Sequence, residues 1–269
     1  MSAVSTPVAD TLRALTDALG EILRSNLVGV YLYGSLTLNS FDPARSDVDC
    51  LVVVHLDLTK AQIRKLRAWF ERTARTDSWL PRLQMQVLRK GRLLRPDTRG
   101  YLYQFGALKR SGSDGNPIIW MNVLATGITL VGPPPKTFLP PITGEMLFGA
   151  LVREVGYLRA EIADPASEWR GRTSYRAYAV HTLCRILYTY RKGGVASKPQ
   201  AARWALRMVP SRWHSLVRQA VASDRGKPAS LGLRRIARFI EFAAAQLAPD
   251  HRLLPKTAIR SRAGSSVPA

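Results

Sequence analysis

The sequence predicts an α/β domain followed by a helical one, and three observations carry that prediction. In the first half of the 269 residues, short apolar runs of strand length alternate with segments of helical periodicity. The stretch "GPPPKTFLPPITG" then packs five prolines into nine residues, which can continue neither a helix nor a central strand. Beyond it, every periodic segment reads as helix. Apolar residues make up 46% of the chain, enough to build a core, so wholesale disorder is excluded.

The elements follow in order. Leu12, Leu15, Leu19, Ile22 and Leu23 recur at helical spacing, with Asp10, Asp17 and Glu21 between them. Without a basic start ahead of an apolar block, this segment reads as an amphipathic helix of the mature fold, not a signal or transit peptide. "LVGVYLYGS" is a short buried strand ending at Gly34 and Ser35, and "SDVDCLVVVHL" is a second strand with its acidic end first. Residues 58–74 carry Ile63, Leu66, Trp69 and Phe70 on one helical stripe, and 81–90 alternates as a half-buried strand. Residues 91–116, rich in Gly, Arg and Asp, read as an irregular excursion, with one more apolar piece after them. Helices are expected over 145–163, 173–191, 198–208, 212–223 and 231–247. In "RKGGVASKPQ", Gly193 and Gly194 stop one helix, while Ser197 caps the next and Pro199 sits in its first turn. The domains are therefore expected at 1–140 and 141–250, with 251–269 a flexible tail.

Composition narrows the function. No apolar run approaches the roughly 20 residues a membrane span needs. Cys50 and Cys184 lie in apolar segments without disulfide or zinc spacing, which fits buried thiols in a reducing cytoplasm. The net charge is +21 and uneven: 18 basic against 11 acidic residues in 1–140, and 22 against 8 in 141–269. Such a field favours polyanions, nucleic acid among them, although no RNA-binding motif with interleaved aromatics is present. A solvated basic surface without a partner reads equally well.

Asp47 and Asp49 pose the sharpest question. In a strand, residues i and i+2 share a face about 6–7 Å apart. Two anions so placed cost several kcal/mol or force one to protonate, unless a cation sits between them. Mg²⁺ fits, being a hard cation held by one or two carboxylates plus substrate phosphate oxygens. Gly34 lets the backbone approach a ligand, and the Ser35 hydroxyl beside free N–H groups suits a phosphate. The bland alternative is a turn glycine followed by an acidic strand edge facing water.

"YGS…SDVDCLVVV" resembles the signature of the polymerase-β-type nucleotidyltransferase superfamily. "AVHTLCRILYTYRKGGVASKPQAARWAL" (179–206) resembles the helical C-terminal domain of the aminoglycoside adenylyltransferases that modify streptomycin and spectinomycin. The resemblance spans about residues 10–245. It implies an α+β fold in which a small mixed sheet flanked by helices forms the nucleotidyltransferase domain and a helical bundle completes the cleft. It also implies roles: Gly34, Ser35 and Ser46 at the ATP phosphates, Asp47 and Asp49 on Mg²⁺, and Lys198 and Arg185 reaching the nucleotide from the helical domain. His181, Cys184 and Trp204 are expected to pack.

The pattern breaks at one position. The resemblance implies a Glu as general base on the strand after the long helix, and that position here is Gln84, which takes no proton at useful pH. Losing a base typically costs about 10²–10⁴ in rate. Asp97 or Asp114 could substitute, the acceptor could need no strong base, or turnover could be weak. The acceptor side is equally unusual: Tyr175 and Arg176 stand near the expected acidic position, and Glu168 and Asp164 are the nearest acids. The expected activity is transfer of AMP from ATP, with Mg²⁺, to a hydroxyl of a small aminoglycoside-type acceptor, by a cytoplasmic monomer without membrane attachment. Two rivals remain: a nucleotide-binding regulatory relative with little turnover, and a nucleotidyltransferase acting on RNA or protein.

Overall fold

The structure, a computed structural model, describes residues 6–95, 98–111 and 115–247. Asp97, Asp114 and the tail from 251 lie outside the described residues. By its internal contacts the chain divides into two units, between Pro140 and Pro141.

In the first unit, helix α1 (Thr6–Leu23) buries Val8, Leu12, Leu15, Leu19 and Leu23, the stripe its leucine spacing predicts. Strands β1 (Leu27–Tyr33) and β2 (Val48–Val54) pair antiparallel, with Tyr33 opposite Asp49. Helix α2 (Lys60–Thr73) starts from a complete capping box, in which Thr59 and Gln62 each satisfy the other's backbone N–H. It carries the chain across to β3 (Leu83–Arg89), which lies parallel to β2 with Gln84 opposite Asp49. Buried Phe70 of α2 stacks on a second buried ring, Tyr103, at 3.8 Å between centroids.

The excursion expected to be irregular contains a hairpin instead. Strands β4 (Gly100–Gln104) and β5 (Ala107–Ser111) pair antiparallel through a two-residue turn, where Phe105 and Gly106 both take positive φ, +51° and +76°. That is the turn whose twist matches the flanking strands. Its strands are short and polar, so the alternation that betrays a half-buried strand is weak. Helix α3 (Pro117–Thr126), capped by the Asn116 side chain, precedes β6 (Ile128–Val131). Among the described residues the sheet runs β5-β4-β3-β2-β1-β6, with β2–β3 its parallel pair.

The second unit is helical: α4 (Gly144–Ala163), α5 (Thr173–Lys192), α6 (Lys198–Met208), α7 (His214–Asp224) and α8 (Leu233–Gln246). Helix α5 is the central one, burying Ala177, Val180, Leu183, Cys184, Ile186 and Leu187. It ends on Gly193 at φ +65°, a left-handed cap that a side chain would strain. His181 and Cys184 are buried in it as expected, with His181 Nε2 3.0 Å from Asp224 Oδ2. Burial pushes the Cys184 thiol up to about 12, so it is inert at neutral pH. The mixed sheet with flanking helices and the helical second unit are the α+β architecture that the resemblance implied. No helix among the described residues is long and apolar enough to cross a membrane.

Candidate active site

The first unit sets Asp47 and Asp49 at one end of β2. The chain leaves buried β1 at Gly34, which opens a 3₁₀ turn, Gly34–Leu36, at φ +77°. A Cβ on Gly34 would come within 2.1 Å of Asp49 Oδ2, so glycine is required here by backbone angle and by space. The Asp49 carboxylate thus lies directly against the glycine-serine turn. The Ser35 hydroxyl makes no hydrogen bond among the described residues, whereas Thr37 Oγ1 donates to the Gly34 carbonyl and closes the turn.

Strand β2 begins at Val48, so Asp47 stands just before it, exposed, while Asp49 is half-buried within it. Gln84, in register with Asp49 on β3, donates its Nε2 to Asp47 Oδ2 at 2.9 Å. The substituted position therefore belongs to the same cluster as the aspartates. Its amide sets a partial positive charge against Asp47, where a carboxylate would add a third negative one.

The loop before Asp47 is fastened independently. Ser46 Oγ accepts from the Asp42 N–H at 2.9 Å, so this hydroxyl, expected at the phosphates, serves first to close its own loop. Arg82 Nη1 donates to the Pro43 carbonyl at 2.6 Å, and its Nη2 to the Ser46 carbonyl. Its guanidinium lies 4.3 Å from the centre of the Trp79 ring. Asp77, the nearest upstream acid, is occupied: its Oδ1 accepts from Thr11 Oγ1 and from the N–H groups of Trp79 and Leu80.

A Mg²⁺ ion fits this donor set. Two carboxylates and an amide that can present its oxygen are hard ligands, and phosphate oxygens complete the shell. No group of three or more His, Cys, Asp or Glu side chains suited to a metal occurs among the described residues.

The second unit holds a different cluster. Arg185 of α5 donates Nη2 to Thr182 Oγ1 at 3.1 Å, and its Nε is buried with no hydrogen-bond partner among the described residues. Lys198, the first residue of α6 behind the Ser197 cap, sets its Nζ 5.9 Å from the centre of the Tyr178 ring. Trp169 stacks on Tyr175 at 5.5 Å and meets Tyr178 edge-on at 5.5 Å and Tyr157 edge-on at 5.8 Å. Burial raises the Glu154 carboxyl above its ordinary range, opposed by the positive charge of Arg185. Burial likewise lifts the Tyr157 phenol to about 12, with Glu161 reinforcing the shift.

Glu154, Tyr157 and Glu161 share one side of α4 at positions i, i+3 and i+7, a pattern visible in "EVGYLRAE" once α4 is known to turn that side to the aromatics. Glu154 and Glu161 are acids that reading near residue 175 did not find, and Glu161 Oε2 accepts from the Ser167 hydroxyl at 2.6 Å. The nearer candidates are engaged elsewhere: Glu168 pairs with Arg172 at 3.2 Å, and Asp164 Oδ1 accepts from the Ala166 N–H. Arg176 donates to the carbonyls of Trp169, Leu231 and Arg170, so it is a strut.

Known proteins resemble the chain across both units. Residues 137–246 match the family model described as the C-terminal domain of aminoglycoside adenylyltransferase. The chain is 27% identical over 236 residues to spectinomycin 9-adenylyltransferase of Staphylococcus aureus, covering 81% of this chain and 84% of that protein. It is 24% identical over 265 residues to aminoglycoside (3'') (9) adenylyltransferase of Shigella flexneri, covering 89% and 96%. The crystal structure of a spectinomycin adenyltransferase from Enterococcus faecialis, with ATP and spectinomycin, superposes with a TM-score of 0.71 at 18% identity. It spans 89% of this chain and 98% of that one, a likeness of fold.

Proposed function

We propose that this chain, an aminoglycoside adenylyltransferase-like protein, is a nucleotidyltransferase that moves AMP from ATP to a hydroxyl of an aminocyclitol or aminoglycoside. One observation carries the catalytic half: the Asp49 carboxylate packed on the positive-φ Gly34 turn, with Asp47 and Gln84 beside it. The Gly34–Ser35 turn and the free Ser35 hydroxyl bind phosphate oxygens. Asp47 and Asp49 would hold Mg²⁺, which when bound would neutralise charge on the triphosphate and the departing pyrophosphate. Arg185, with its unsatisfied buried N–H, and Lys198 supply the further positive charge that a triphosphate requires.

In the reaction, the acceptor oxygen forms a bond to the α-phosphorus and the bond to the β-phosphate oxygen breaks. AMP stays on the acceptor, and pyrophosphate leaves with the electron pair. Gln84 orients Asp47 and takes no proton, so the hydroxyl proton passes to water. Glu154 and Glu161, walled by Tyr157, Trp169 and Tyr178, offer an acceptor amine its negative charge and its apolar faces.

The test is transfer of label from α-labelled ATP, with Mg²⁺, to spectinomycin and streptomycin. Labelled drug is expected with wild type and none with Asp47→Asn. A second reading rests on Gln84: a nucleotide-binding relative with little turnover. Calorimetric binding of Mg²⁺–ATP without pyrophosphate release on any hydroxyl acceptor would favour it. A rate that rises in Gln84→Glu would identify the missing base as the cause.

A further inference from the structure

We propose that the first unit carries another ligand site, a groove between α2 and the β4–β5 hairpin that binds single-stranded RNA. The groove has a volume of about 640 Å³ and is lined by Lys60, Ile63, Arg64, Arg67, Tyr101 and Arg110, with Glu71 among the lining as the one acid. Helical spacing places Lys60, Arg64, Arg67 and Glu71 along one stripe of α2. Tyr101 and Arg110 are directly opposite each other across the hairpin, and β5 is the edge strand of the sheet.

All four cations are exposed, and among the described residues none has a carboxylate at ion-pair distance. Arg67 donates its Nε to the Leu108 carbonyl at 3.2 Å, which holds its guanidinium against the hairpin. Four like charges around one groove repel until an anion is bound. A second observation points the same way. Phe105, at the hairpin tip, is 76% exposed and sits at φ +51°, where Asn or Gly would form the turn at lower cost. The hairpin therefore carries an exposed ring at its tip and, about 13 Å away at about 3.3 Å per residue, the half-buried Tyr101 ring, which lines the groove while packing partly on the core.

Cations that follow a phosphate backbone, with rings on which bases stack, are what a single strand needs. A duplex keeps its bases stacked inside and has no use for the rings, and a flat bilayer does not enter a groove. No such motif is visible along the chain, because α2 and the hairpin are far apart in sequence and only the fold brings Tyr101 among the arginines. Neither Asp47 nor Asp49 takes part, so the groove is independent of AMP transfer.

The test is anisotropy of a fluorescein-labelled single-stranded RNA of about ten nucleotides, titrated with the full chain at several salt concentrations. Four phosphate contacts predict a slope of log K against log salt of about −2.8. In Arg64→Glu/Arg110→Glu the affinity is expected to fall at least about tenfold and the slope to about half of its wild-type value. In Tyr101→Leu the affinity is expected to fall about tenfold with the slope unchanged. Asp47→Asn, and an exposed pair on α6, Arg203→Glu/Arg207→Glu, are expected to bind like wild type. Melting curves establish that each variant is folded. The proposal is overturned by unchanged affinity in the Arg64/Arg110 variant, by an equal loss in the α6 pair, or by no binding at low salt. Equal affinity for inorganic polyphosphate or anionic vesicles, which lack bases, overturns it as well.

Discussion

Gly34 is where the backbone and the proposed chemistry meet. Its φ of +77° and the 2.1 Å approach of Asp49 Oδ2 leave no room for a methyl group. Gly34→Ala is expected to cost about 1–3 kcal/mol of stability. It is also expected to weaken ATP binding, because Asp49 must move off the turn. Urea unfolding and calorimetry measure the two effects, and unchanged ATP affinity would separate Asp49 from the nucleotide. At Glu154 the consequence is a pH dependence. Burial raises its folded carboxyl above the 4.5 of an ordinary glutamate, so the folded state binds the proton more tightly than the unfolded one. The stability it contributes is complete below 4.5 and is lost as pH rises through the raised folded value. Subtracting the urea stability of Glu154→Gln from that of wild type should give a difference that falls with rising pH above 4.5. A flat or rising difference would show that Glu154 is not held in a water-poor site.

At the scale of the element, capping and topology place the residues that act. The reciprocal Thr59–Gln62 box fixes where α2 begins, and with it the register of the Lys60–Arg64–Arg67 stripe against the hairpin. Thr59→Ala is expected to lower stability by about 1 kcal/mol. By contrast, the two-pronged Arg159–Glu241 pair between α4 and α8 is half-exposed on both sides. Arginine lowers the Glu241 carboxyl, yet solvent screens the pair, and Glu241→Ala should cost less than about 1 kcal/mol, shrinking further with salt. Chemical denaturation of both variants at low and high salt checks the ranking, and a Glu241 loss exceeding the Thr59 loss would reverse it. The parallel crossover from β2 through α2 to β3 sets Gln84 level with Asp49. A residue far along the chain from the aspartates thus becomes their neighbour.

For the whole molecule, the net charge of +21 outweighs every local charge pair. Self-repulsion of that size destabilises the compact state, and added salt screens it. The melting temperature should therefore rise between low salt and about 0.15 M, where the Debye length is about 8 Å. A fall over that range would mean that attractive pairs outweigh the repulsion. Much of this chain was legible beforehand: α1, β1 to β3 and the helices of the second unit follow from apolar periodicity, glycine stops and N-caps. The acidic pair stood out because two close anions beside a buried strand repel each other. The β4–β5 hairpin was not legible, since Tyr-Leu-Tyr-Gln and Ala-Leu-Lys-Arg-Ser carry too little alternation and a Phe-Gly turn is not a usual signal. Glu154 was passed over because a carboxylate on an amphipathic helix reads as solvent-facing until the partner helix that buries it is known.

The sequence by itself determined most of the helices and strands, where one half ends, and that Asp47 and Asp49 stand as two close anions at the mouth of a strand. Those properties are local, set by side-chain periodicity, backbone freedom and the cost of unpaired anions. Tertiary structure alone decided that Gln84 bonds to Asp47, that Glu154 and Arg185 share a water-poor setting, and that Tyr101 joins the arginines of α2. Each of these joins residues from different elements, and such distances are fixed only when the sheet and the helices pack.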